Sequence, residues 1–239
     1  MAVIAETISD LSPDDPRVTR GLFTVTEAAG WLSIPRSTLH DWVDGRRGAP
    51  HERPIVLTVP AARGEPAVPF LGLAEGMVLR AFRRGGVPLQ RVRDALERLD
   101  RDLGLRHALA SDRLASDGAE LLYDHRARFE PGGDGGLVTV RSGQLVFAPV
   151  VRESLRRIQY GRDGWAERLL LPGYSVVSVV VTPHLAGGRP VLERSGIPVE
   201  NVVGRWLGGE SLEELAADLG LDGAEIEDVV RAATRRRAA

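Results

Sequence analysis

Four side chains able to donate to DNA crowd into one short stretch: Arg36, Ser37, Thr38 and His40. An arginine fork can bond guanine bidentately, and Ser or Thr hydroxyls suit phosphates and base edges. Arg46, Arg47, His51 and Arg53 follow within a few residues, a set suited to gripping phosphates from a wing or loop. Between residues 17 and 60 there are 6 arginines and 4 acids, so this stretch is locally positive although the chain carries a formal net charge of -2. Nucleic-acid binding therefore has to come from a local basic face, not from a global field. A second candidate set lies at the far end: Arg235, Arg236 and Arg237, with Trp206 as an apolar anchor near a helix end. Guanidinium groups of this kind pair with carboxylates as readily as with phosphates.

Several other chemistries have no material to work with. All 31 basic residues are arginine and there is no cysteine, which excludes disulfides, thiol nucleophiles, Cys-held metals, Walker-type phosphate loops and Schiff-base lysines. His40, His51, His107, His125 and His184 show no metal-ligand spacing, and neither a GxSxG nor an HExxH run occurs. The expectation is a protein that is not an enzyme and holds no metal or cofactor. No run is apolar enough for a bilayer and none resembles a secretory signal, so a cytoplasmic protein is expected.

The elements that must position the candidate residues can be read from local signals. Thr24 with Glu27 makes a capping box that starts a helix ending near Leu32. Ser33, Ile34 and Pro35 form a tight turn, and a second helix over 36–43 places Leu39 and Trp42 on one face. Ser33 stands where such turns usually carry Gly, and Pro35 where a Ser cap is usual. Residues 54–59 read as a strand. Apolar residues at helical spacing predict helices over 71–84 and 88–103, the latter with Leu89, Val92, Leu96, Leu99 and Leu103 in one stripe and Gly104 as its cap. That stripe serves either ordinary core packing or a dimerisation seam.

Residues 119–150 read as β-rich, with short strands at 121–123, 137–140 and 144–147 around a glycine-rich connection at 132–136. A helix is expected over 150–160 and a strand over 176–181. Three short helices close the chain, near 199–207, 212–219 and 224–233, with capping boxes at Ser211/Glu214 and Asp222/Glu225. Charge and punctuation divide the chain into a flexible arm (1–19), a winged helix-turn-helix (20–105), a central α/β segment (106–172) and a C-terminal trihelical domain (173–239). The fold class is α+β, mostly α.

The run "FTVTEAAGWLSIPRSTLHDWV", the wing-like stretch after it and "LGLAEGMVLRAFRRGGVPLQRVRDALERL" together resemble the reader head and following helix pair of MerR-type regulators. The C-terminal part resembles a small bacterial domain marked by Gly188-Arg189-Pro190, Ile197-Pro198-Val199 and the run from Gly209 to Leu215. In this order and at this length the two parts resemble the larger VapB-type antitoxins of actinobacteria, over nearly the whole chain. That resemblance implies a cognate VapC-type toxin, a PIN-domain ribonuclease with carboxylate-held Mg²⁺, that the protein neutralises. It further implies repression of its own operon, by a homodimer. The DNA set is then Arg36, Ser37, Thr38, His40, Arg46, Arg47 and Arg53, and the toxin set Trp206, Arg235, Arg236 and Arg237. Three other readings stay open: a MerR-like regulator that answers a small ligand and has no toxin, an interaction module with a vestigial helix-turn-helix, and an enzyme with a constellation assembled only in space.

Overall fold

The computed structural model describes residues 11–12, 14–45, 54–116, 138–141, 144–147 and 149–238. It is a mixed α+β protein with a helix-turn-helix head and small antiparallel sheets.

A one-turn helix α1 (Pro16–Thr19) is capped by the Asp15 side chain. Arg17 pairs with Asp15 and with Asp163 of the central segment. Strand β1 (Gly21–Phe23) pairs with β2 (Val68–Pro69), and between them lie helices α2 (Val25–Leu32) and α3 (Arg36–Asp44). Helix α4 (Phe70–Arg84) is buried along almost its whole length, with Phe70, Leu73, Met77 and Phe82 in the core. A helix apolar on most sides has to be surrounded, and α4 is the hub on which the head and the central segment meet. Gly72 allows this: a Cβ there would stand 2.3 Å from the Leu57 carbonyl oxygen.

Helix α5 (Leu89–Leu103) ends at Gly104 in the left-handed conformation. Of its expected stripe, Val92 and Leu99 are buried and belong to this chain's own core, as does Ala95 beside them, while Leu89 and Leu96 are partly buried. Val92 and Leu99 therefore serve core packing. Helix α6 (Arg113–Ser116) follows.

The segment 54–59 is not a strand and bends at Val56. The Ile55 and Val56 N–H groups donate to the Trp42 carbonyl, Leu57 N–H donates to the Glu75 carboxylate, and Val59 N–H to the Ala67 carbonyl. With its donors spent on scattered acceptors, no ladder can form.

Of the expected β-rich stretch, β3 (Val138–Arg141) and β4 (Gln144–Phe147) pair as an antiparallel hairpin, while the run at 121–123 and the glycines at 132–136 lie outside the described residues. Helix α7 (Pro149–Leu155) is shorter than expected, because the chain then turns into strand β5 (Ile158–Tyr160). With β6 (Ala166–Leu170), β7 (Val179–Val181) and β8 (Val191–Leu192) it forms a four-stranded antiparallel sheet in sequence order. The β6–β7 pairing carries this sheet across residue 172 into the C-terminal part.

Helices α8 (Val199–Leu207), α9 (Leu212–Leu219) and α10 (Gly223–Ala238) close the fold. The Ser211/Glu214 capping box forms in full, and at α10 the Asp222 N–H donates to Glu225. Among the described residues no helix is long and apolar enough to cross a membrane, and no group of three metal-ligating side chains is placed to hold an ion.

Candidate nucleic-acid interface

The two helices of the head are set by local hydrogen bonds. Thr24 accepts from the Glu27 N–H at 3.1 Å while the Glu27 carboxylate accepts from the Thr24 N–H at 2.8 Å. Ser33 takes a left-handed conformation (φ 53°) to turn the chain, a position that costs a side-chain-bearing residue some strain. Ile34 N–H closes the turn on the Ala29 carbonyl. Helix α3 then buries Leu39, Trp42 and Val43, which locks it against α2.

Its opposite face carries Arg36, Ser37, His40, Asp41 and Asp44, all exposed, with Thr38 half-buried beside them. The expected readers Arg36, Ser37 and His40 thus share one free helix face. Asp41 and Asp44 complete it and were not picked out by basic-residue reasoning. Their helical spacing from Ser37 and His40 is the signal that places them there. His40 Nδ1 lies 2.7 Å from Asp44 Oδ2. The face is therefore mixed in charge: donors at the N-terminal turn, acceptors toward the C-terminal end. Carboxylates can accept from the cytosine amino group, but they repel phosphate, so backbone affinity has to come from elsewhere. Arg46, Arg47, His51 and Arg53 lie outside the described residues.

The C-terminal part is docked on this head. The Arg236 guanidinium lies 4.1 Å from the centroid of the Trp31 ring and 5.5 Å from that of Tyr174, and its Nη1 donates to the Tyr174 hydroxyl at 2.7 Å. Arg235 donates to the Gly173 carbonyl at 3.2 Å. Arg189 reaches the Leu22 carbonyl at 2.9 Å and Glu27 at 3.1 Å, and also pairs with Glu200 of α8. Glu27 therefore caps α2 with one oxygen and receives the C-terminal part with the other. Its pKa is held below the usual range: burial opposes this, but the Thr24 donors and Arg189 outweigh it.

Two of the four expected toxin-facing residues, Arg235 and Arg236, thus have partners inside the chain. The Arg237 side chain lies outside the described residues. Trp206 is half-buried against the core edge, next to Leu207, which is 46 % exposed. Arg236→Ala is expected to cost about 2 kcal/mol, from one cation–π stack and one hydrogen bond. Chemical denaturation checks it, with Arg235→Ala as the near-neutral control.

Comparison with known proteins gives two family matches. Residues 21–96 match a "Putative DNA-binding HTH domain", and residues 179–232 match a family described as "Protein of unknown function (DUF433)". The chain is 38% identical over 223 residues to "Putative antitoxin VapB45" of Mycobacterium tuberculosis, covering 88% of this chain and 93% of that one. It is 29% identical over 221 residues to "Uncharacterized protein Rv2308" of the same organism, covering 88% and 89%. The crystal structure of Rv2018 from M. tuberculosis superposes with a TM-score of 0.77 at 37% identity, covering 90% of this chain and 99% of that one.

Proposed function

Since this chain belongs to the family of "Putative antitoxin VapB45", we propose that it binds and neutralises a cognate VapC-type PIN-domain ribonuclease and represses its own operon, as a cytoplasmic homodimer. The observation that carries this reading is the docking of the C-terminal part onto a helix-turn-helix whose reading face is left free. One body thereby offers a DNA face on one element and a protein-binding part behind it.

On DNA, Arg36 and Ser37 enter the major groove first, with Thr38 and His40 behind them, and Arg46, Arg47 and Arg53 grip phosphates beside the groove. The mixed charge of the α3 face assigns most salt-dependent affinity to those flanking arginines. Replacing Arg46 and Arg47 together is expected to lower the slope of log affinity against log salt by up to ~0.9 for each phosphate that is no longer gripped. Replacing Arg36 by Ala is expected to relax sequence preference and weaken operator binding by roughly tenfold or more, the cost of about one bidentate base contact. Gel shifts on the protein's own promoter at several salt concentrations measure both.

Toward the toxin, the exposed Leu207 beside Trp206 forms an apolar anchor, and the arginine tail from Arg235 to Arg237 addresses the carboxylates of the ribonuclease metal site. Because Arg236 is stacked on Trp31, a toxin that takes this tail competes with its grip on the head. The deciding experiment is co-expression with the neighbouring gene product. Co-purification and relief of growth inhibition are expected. A product that neither co-purifies nor is relieved removes the antitoxin reading while leaving the gel-shift results standing.

A further inference from the structure

Behind the head lies a cavity of about 450 Å³, within the size range of sites that enclose small organic molecules. One wall is the segment 54–58, a second is α5 with Leu96, and the third is the turn carrying Leu105, His107 and Leu109. Most of the lining is apolar.

Besides Thr58, six charged or titratable side chains line it, and two of these are buried. Glu75 is 3% exposed and Arg93 is 4% exposed. Glu75 receives the Leu57 N–H at 2.6 Å through one oxygen and meets His107 Nδ1 at 2.9 Å through the other. With His107 protonated this pair is neutral in sum, and Arg93 brings a positive charge into the same interior. Glu97, Asp100 and Arg106 also line the cavity but are exposed at its edge. A guanidinium has five N–H donors in a flat fork, so one edge can serve a ligand while another is engaged within the protein. His107 sits at φ 56°, a conformation that a residue with a side chain holds only where the surroundings impose it.

The wall made by 54–58 is also tied to the DNA face. Ile55 and Val56 donate to the carbonyl of Trp42, at 2.9 and 3.2 Å, and Trp42 is a buried residue of α3. A molecule pressing on this wall therefore acts on the helix that carries Arg36 and His40.

We propose that this cavity binds a small organic carboxylate with an apolar body, its carboxylate on Arg93 and its body among Ile55, Leu96 and Leu109, and that the bound molecule shifts the affinity of α3 for DNA. The site assignment stands apart from the toxin and operator readings.

Calorimetric titration of the full chain with octanoate, and with octylamine as the cationic match, tests the site without DNA or toxin. Saturable one-to-one binding of octanoate is expected, with octylamine at least tenfold weaker. Leu96→Trp should fill the space and abolish binding. Arg93→Met should weaken it by roughly tenfold or more, the loss of a charged hydrogen bond, and Arg93→Lys should recover part. All three variants are checked by thermal melting, and if the Arg93 variants fail to fold, the Leu96 variant decides. No saturable binding, equal binding of the amine, or binding untouched by Leu96→Trp overturns the site. Gel shifts at constant ionic strength with and without octanoate test the coupling, where at least a threefold change in operator affinity is expected and an unchanged value overturns it.

Discussion

Replacing Asp228 with Ala should lower the melting temperature by roughly 10 °C, from a loss of about 3 kcal/mol. Asp228 is fully buried on α10, and its carboxylate gathers the strand-leading segment in front of β7. It accepts from the N–H groups of Ser175, Val176 and Val177 at 2.8, 2.7 and 3.2 Å and from the Ser175 hydroxyl at 3.0 Å. Removal orphans several donors at once and unties this segment from α10. The neighbouring Tyr174 is half of the box that holds Arg236 on Trp31, so the variant should also loosen the C-terminal part from the head. Asp228→Asn keeps an acceptor of the same shape and should cost less than half as much.

The pH dependence follows from the same contacts. Burial alone would raise the Asp228 pKa, but the converging N–H donors and the Ser175 hydroxyl hold it below the ordinary value of 3.8. A depressed carboxylate stabilises the fold above its unfolded pKa and loses that contribution as pH falls through the folded value. The stability gap between the wild type and Asp228→Asn should therefore be flat from about pH 7 to 5 and shrink below about pH 4. Urea denaturation at stepped pH measures it, and a gap that widens with acid would contradict the assignment.

The second large effect is expected at His107. Replacing it with Ala leaves Glu75 buried with the Leu57 N–H on its other oxygen, and should cost about 2 kcal/mol, the scale for leaving a buried acceptor short of one partner. Adding Glu75→Gln, which keeps an acceptor for Leu57 but removes the charge, should recover part of that loss. A double variant worse than the single would mean that the charge itself is needed. The hydrogen bond to Glu75 raises the His107 pKa against the opposing effect of burial. A raised histidine contributes its stability fully below its unfolded pKa near 6.5 and loses it as pH rises through the folded value. The wild type should thus lose stability as pH rises above about 6.5 and through the raised folded value, and His107→Ala should lack that slope.

The candidate site divides into residues placed by local spacing and residues placed by distant packing. Arg36, Ser37 and His40 were legible as a set because one helix suffices to present them. Asp41 and Asp44 belong to the same face by the same spacing, and attention to basic residues alone passes over them. Arg236 could not be placed from sequence: a terminal arginine run reads equally as a solvated tail, and nothing local announces a ring 205 positions earlier. Arg189 at Glu27 is of the same kind, since a capping box predicts one use of that carboxylate and is silent on the second.

By itself the sequence determined what depends on neighbours within about four residues. The capping boxes at Thr24 and Ser211, the amphipathic spacing of α3, α4 and α5, the glycine stop after α5 and the three closing helices are all settled by short-range hydrogen bonds and by which face is apolar. The tertiary structure alone decided what those faces meet. It spent the donors of 54–59 on Trp42 and Glu75 in place of a strand partner, placed Val92 and Leu99 of the α5 stripe in this chain's own core, and drew β5 and β6 into a sheet with β7. It also brought Asp228 to 175–177 and Arg236 to Trp31. The physical reason is common to all of them. A polar or apolar group states only that it needs a partner, and the identity of a distant partner is chosen by how the whole chain packs.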